Sequence, residues 1–323
     1  MRRNLRHSND VRQHFAQRIA RRGADYAARV ASAQGAGAGE FDAGELDAPQ
    51  GAARPQALLL TFFGGYLLGR GVHVATSSVI DVLDRVGVSE HATRSTLSRM
   101  ARRDLLHRTR RGRQVYVGLT WRSREILRDG EARVWRAGAV NTQWDGTWTL
   151  LGFSLPDSWQ RQRHALRSRL LWAGFGPLQG GLWIAPSSVD VRVLGDDLEA
   201  GGHIKVFTAT AAPPTDVDAL VRGAWDLGAL AARYRGFLER WEEPSRRPRL
   251  PDGLASQLVL QTDWLQVIRR DPRLPVQHLP VDWPAEQAQQ LFRALYAEFE
   301  PGARAAAAGL DVVPDEEAAR SQT

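Results

Sequence analysis

The chain contains no cysteine, a single lysine (Lys205) and only two methionines in 323 residues. Without thiols it has no disulfide, no thiolate metal site and no cysteine nucleophile. No uninterrupted apolar run reaches about 18 residues, so a membrane span is not expected. The N-terminal MRRNLRHSNDVRQHFAQRIARR is charged and lacks an apolar segment, unlike a secretory leader. The chain therefore reads as cytoplasmic. No Gly-x-x-x-x-Gly-Lys-Ser/Thr and no Gly-x-Gly-x-x-Gly is present, and Gly35–Gly39 lies in a linker with no strand before it. The eight histidines show no His-x-x-x-His spacing, so no metal site is expected; His73, His91 and His107 read as surface or nucleic-acid-proximal residues. With no catalytic constellation, no enzyme and no cofactor are expected.

What the chain does have is arginine, concentrated in one place. Between His91 and Arg113 stand eight arginines against one acid, Asp104, an excess equal to the formal net charge of +7 for the whole chain. Elsewhere, bases and acids balance. Because arginine fills nearly every basic position, its distribution carries more information than its total. A charge focused on one helix and one hairpin is the footprint of a nucleic-acid-binding element.

Residues 1–53 read as a variable extension and Gly/Ala/acidic linker that cannot build a core. From Pro55 the spacing predicts a helix over 56–68, a second over 76–86 capped by Thr76 or Ser77, a turn at Gly87-Val88 and a third helix over 90–103 capped by Ser89. Leu105-Leu106 begins a strand, Arg110–Arg113 turns it, and Gln114–Leu119 returns as a half-buried strand. Helix, helix, Gly turn, helix and basic hairpin make a winged helix-turn-helix over 54–120. On the third helix Thr93, Thr96, Leu97 and Met100 share the inward face. The outward face carries His91, Ser95, Ser98, Arg99 and Arg102, with Arg94 and Arg103 at its margins. Arg99 and Arg102 suit guanine edges, Ser95 and Ser98 suit phosphates, and wing residues Arg110, Arg111 and Arg113 suit phosphate or minor groove. Arg103 also suits a plain ion pair, and Arg108 a purely decorative place on the wing.

A connecting helix is expected over 121–141. Residues 142–212 read as strand, arginine-rich helix over 159–173, two short strands, a helix over 188–200 and a final strand at 203–210. That βαββαβ order is the ferredoxin-like split unit. Residues 213–300 read as all-α, with helices over 216–241, 254–270 and 284–300, and 301–323 as a disordered tail. The fold class is thus α+β, in three parts. The eleven tryptophans supply core in the middle part. There Arg161, Arg163, Arg167 and Trp172 could grip the phosphates and planar group of an effector, although a solvated basic face explains the same arginines.

These residues resemble the PaaX family of transcriptional repressors, named for regulators of phenylacetate degradation. The similarity runs from Leu58 to Phe299. It rests on ATRSTLSRM and RRGRQVYVGL, on EARVWRA, WDGTWTLL and LLWAGFGPLQGGLWIAPS, and on RRDPRLPVQHLPVDWPAEQAQQLF. The resemblance implies a homodimer that binds double-stranded DNA and leaves its operator when an acyl-coenzyme A effector such as phenylacetyl-CoA binds. It also implies a middle domain similar to the small endonuclease subunits of CRISPR adaptation. Those nucleases carry an aspartate at the end of the first strand; here Ser154 and Leu155 stand there, with Asp157 beyond Pro156. That departure speaks against nuclease activity and for a dimerisation or sensing role of the middle domain. A metal-dependent nuclease is kept as one alternative, and a ligand-independent DNA-binding protein as another. The 50-residue extension and the particular recognition-face residues depart from the family pattern.

Overall fold

The computed structural model describes residues 55–135, 139–189, 203–269 and 271–315. The extension at 1–53 and the helix expected over 188–200 fall almost wholly outside these residues. The first part runs α1 (Pro55–Tyr66), β1 (Val72–Ala75), α2 (Thr76–Asp84), α3 (Glu90–Arg102), β2 (Leu106–Arg111), β3 (Gln114–Leu119) and α4 (Trp121–Trp135). The middle part holds β4 (Thr147–Phe153), α5 (Gln160–Trp172), β5 (Gly176–Pro177), β6 (Leu182–Pro186) and β7 (Ile204–Thr210). The last part comprises α6 (Val217–Ala224), α7 (Leu227–Trp241), α8 (Gly253–Ile268), α9 (Ala285–Ala307) and β8 (Val312–Pro314).

Local chemistry explains most boundaries. Ser89 accepts a hydrogen bond from the Ala92 amide and caps α3, while Glu90 stands in its positive first turn. The helix is capped at Arg103, and the chain turns away at Asp104, whose left-handed φ of 55° a short polar side chain tolerates. The Thr120 hydroxyl donates to the Asp104 carbonyl at 2.8 Å and ties this corner to the start of α4. α2 differs from expectation: it follows β1 directly, and neither Thr76 nor Ser77 caps it, because extended Ala75 occupies the cap position.

Two four-stranded sheets form, both with antiparallel pairing throughout. The middle sheet has the order β5-β6-β4-β7, the order of the split βαββαβ unit. Its strands alternate between two cores. Leu151, Trp183 and Ala185 pack with Leu166 and Leu170 of α5. Trp148 and Ile184 face the other way, onto Val221 and Ala224 of α6 and Leu230 of α7.

The other sheet, β2-β3-β1-β8, contains the main surprise. β1 and β8 were not anticipated. β1 pairs with β3 through Val74 opposite Val117, and with β8 through His73 opposite Val313. The expectation of a disordered tail from Pro301 is corrected for residues 301–315. α9 continues through Pro301 to Ala307, with Ala303 buried. Proline removes one helical hydrogen bond, but packing outweighs the loss: a Cβ added to Gly253 would lie 2.7 Å from the Ala303 nitrogen and 2.8 Å from the Gly302 carbonyl carbon, so glycine at 253 is what lets α8 approach α9 here. The single helix expected over 216–241 is two. Asp226 caps α7 by accepting from the Ala229 amide, and Trp225, with its indole donating to the Gly174 carbonyl at 3.2 Å, leaves the helical path.

One continuous core joins the first and last parts. Leu59, Phe62, Phe63, Leu83, Leu97 and Met100 belong to the same buried cluster as Tyr234, Trp241, Trp264 and Phe292. Arg85, which closes α2, donates at 2.8 Å to Asp252, which also caps α8 through the Ala255 amide. The basic segment is therefore braced from behind by the C-terminal helices.

Candidate nucleic-acid interface

The expected inward face of α3 is buried: Thr93, Thr96, Leu97 and Met100 each expose 1% or less. That burial turns the opposite face outward by necessity of helical geometry. Arg94, Ser95, Arg99 and Arg102 are exposed there, as are Arg110, Arg111 and Arg113 on the hairpin. Gly112 and Arg113 form the two-residue connection between β2 and β3.

The side chains are not equivalent. Arg94 pairs with Glu90 one helical turn earlier at 2.7 Å, which offsets part of its charge locally. Arg99 donates to the Thr96 hydroxyl at 3.2 Å. Ser98 is half-buried rather than outward, and its hydroxyl accepts from Arg108 at 2.9 Å. Arg108 thus straps α3 to β2 instead of merely decorating the wing. Arg110 donates to the Gly112 carbonyl and stiffens the turn. Arg111 donates to the Pro314 carbonyl at 3.2 Å, joining the hairpin to β8. Arg102 and Arg113 have no such protein partner among the described residues. They are the cations most available to an incoming polyanion.

The four effector candidates are not brought together as a set. Arg161 and Arg167 are exposed on α5. Arg163 turns back to the carbonyl of Leu155 at 2.7 Å and to Asp157 at 3.4 Å, fixing the loop after β4. Trp172 is half-buried at the end of α5. A shallow concavity of about 480 Å³ lies elsewhere, lined by Arg222, Trp225, Asp226 and Leu227. A smaller one of about 190 Å³ adjoins it at His278, whose Nδ1 is 2.6 Å from Asp218. These residues carry no motif, because the helix break and the 3-10 turn (Val276–His278) meet only in three dimensions.

His73, expected at the surface, is instead buried at the base of the hairpin, at 5% exposure, because it sits on β1 between two other strands. His73 on β1 and His107 on β2 face each other, Nε2 to Nε2, at 2.6 Å. Burial, and then the neighbouring His107, hold the His73 imidazole below its ordinary range, in the neutral form. A glycine inside a strand, Gly118, was the available signal, since such glycines mark close approaches.

An antiparallel α+β protein with a basic helix and hairpin in its first part and, in its middle part, a four-stranded sheet in the ferredoxin-like order is the class defined so far. Residues 54–123 match the family described as PaaX-like protein, 141–221 the PaaX protein central Cas2-like domain, and 225–309 the PaaX-like protein C-terminal domain. The chain belongs to the PaaX family. It is similar to the transcriptional repressor PaaX of Escherichia coli (strain K12), 28% identical over 267 residues that cover 77% of this chain and 81% of that one. An uncharacterized protein from Mycobacterium tuberculosis, Rv0674, shares the fold at a TM-score of 0.55 and 21% identity, covering 78% of this chain and 98% of that one. No helix among the described residues is long and apolar enough to cross a membrane.

Proposed function

We propose that the protein is a sequence-specific DNA-binding repressor of the PaaX type, acting as a homodimer and released from its operator by an acyl-CoA effector. One observation carries the reading: Arg99 and Arg102 on α3 and Arg110 and Arg113 on the β2–β3 hairpin are exposed along one continuous segment. In this reading α2, the Gly87 turn, α3 and the hairpin are a winged helix-turn-helix. α3 enters the major groove, Arg99 and Arg102 read base edges, and the wing holds phosphate. Ser95 and the α3 N-terminus suit phosphate, while Ser98 and Arg108 hold helix and wing in register.

The homodimer reading is supported by β7, an edge strand of the middle sheet that leaves Phe207 58% and Val206 38% exposed. An open apolar edge is a surface that a second copy would cover. The effector reading draws on the relative's regulatory class and on guanidinium–indole surfaces suited to an anionic, flat ligand: Arg161, Arg167 and Trp172 on α5, and Arg222 with Trp225 at the concavity. The nuclease alternative has little to draw on. Asp157 is fully exposed, is paired with Arg163, and belongs to no three-residue acid or imidazole grouping among the described residues.

The test is a mobility shift on the gene's own upstream DNA, repeated with a panel of CoA thioesters. A shift abolished by one thioester is expected. A shift that no thioester reverses would leave a ligand-independent DNA-binding protein, and no shift at all would overturn the reading.

A further inference from the structure

We propose that His73, His107 and Asp315 form a binding site for a first-row transition-metal dication such as Zn²⁺. The three residues come from β1, from β2 and from the residue after β8. One ligand atom of each lies within 4.8 Å of the others, and among the described residues this is the grouping of acids and imidazoles that meets metal-ligand spacing. The sequence conceals it, because the ligands are 34 and 208 positions apart.

Sheet register builds the site. His107 stands opposite Gly118, and continuing the Val74–Val117 pairing places His73 opposite Gly118 on its other side. The two rings reach toward each other over the glycine, with centroids 4.4 Å apart. A Cβ at position 118 would lie 2.2 Å from the His73 ring and 2.7 Å from His107 Nε2. The missing side chain is what lets the imidazoles meet. Asp315 Oδ2 is 3.4 Å from His73 Nε2, and both residues are buried, at 3% and 5% exposure.

Three acceptor-capable atoms converging in a buried place are poorly matched by protons alone. His73 Nδ1 has no hydrogen-bond partner, so the ring is oriented through Nε2, which lies 2.6 Å from His107 Nε2 and 3.4 Å from Asp315 Oδ2. A shared cation satisfies all three at once. Two imidazoles and one carboxylate, with a fourth position for water, is a donor set suited to zinc rather than to magnesium or calcium, which prefer oxygen. Tetrahedral Zn–N bonds of about 2.0–2.1 Å put ligand atoms about 3.3 Å apart. The His73–Asp315 separation already meets that figure, and the two imidazoles need open by only about 0.7 Å. Arg124 donates to Asp315 Oδ2 at 2.5 Å and orients the carboxylate, as outer partners of metal ligands do. Its positive charge also limits the affinity. Bound metal would staple the C-terminal strand to both older strands of the wing sheet.

The experiment uses the full chain after dialysis against chelator. Co²⁺ is titrated as a visible-absorption probe and Zn²⁺ by calorimetry. One ion per chain is expected, with a Co²⁺ spectrum of low coordination number and a Tm that rises with Zn²⁺. His107→Ala and Asp315→Asn should each raise Kd at least roughly tenfold and abolish the Tm rise. Should His107→Ala fail to fold by circular dichroism, His107→Gln takes its place. Folded wild-type protein that binds neither ion overturns the proposal, reducing the cluster to a hydrogen-bond network. Binding unchanged in the folded His107 variant overturns it too, by locating the ion elsewhere.

Discussion

Gly118 shows how much a single position decides. It lies mid-strand with both neighbouring strands' histidines folded over it, so an added methyl group meets the buried His73 ring and the half-buried His107 ring rather than a mobile chain end. Overpacking of this kind costs about 1–3 kcal/mol. Gly118→Ala should lower stability by that amount in urea denaturation, whereas Gly112→Ala meets no atom within 4 Å and should act only through the strain of its positive φ. Equal losses in the two variants would show that the histidines yield freely. The arginines differ as sharply. Eight look interchangeable in the sequence, yet Arg94 is paired with Glu90, Arg108 is bound to Ser98, Arg111 is engaged by Pro314, and Arg102 and Arg113 are left for a ligand. Nothing in the local pattern announces that sorting, because each partner except Glu90 comes from another element.

At the scale of elements, what was legible followed from periodicity and punctuation. α3 was readable from its four buried positions and its Ser89 cap, the hairpin from its turn residues, and the middle sheet from strand order. The alternation expected of Gln114–Leu119 is not found: Gln114 and Val115 are exposed and the four residues after them buried. What was not legible depended on distant partners. β1 is four residues long and β8 three, too short to carry a pattern, and each becomes a strand by pairing with the other. Pro301 reads as a stop signal, but tight α8–α9 contact at Gly253 and Gly302 carries the helix past it. Asp252 is a hinge of the same kind: its carboxylate caps α8 and binds Arg85 at the end of α2. Loss of an N-cap costs about 1 kcal/mol, and a partly exposed ion pair adds less than about 1 kcal/mol. Asp252→Ala should therefore destabilise by about 1–2 kcal/mol in chemical denaturation. Asp252→Asn, which keeps a capping oxygen but loses the charge, should recover most of it. If the asparagine variant is as unstable as the alanine one, the Arg85 pair and not the cap supplies the stability.

At the scale of the molecule, the basic segment and the C-terminal helices share one core, so they cannot be treated as beads on a string. α1 packs against both α3 and α8, β8 completes the sheet that carries the hairpin, and the hairpin reaches β8 through Arg111. Any change transmitted through the C-terminal helices thus arrives at the elements that hold α3 and the hairpin. This arrangement gives the proposed repressor a physical route from an effector to its DNA-facing surface. It rests first on whether that surface meets phosphate at all. The direct measurement is the salt dependence of binding to duplex DNA, by fluorescence anisotropy, for the wild type and for Arg102→Ala/Arg113→Ala. Each phosphate contact contributes about 0.9 to the slope of log affinity against log salt. The double variant should bind more weakly with a slope shallower by about two. An unchanged affinity and an unchanged slope would contradict the assignment of α3 and the wing as the DNA-binding face.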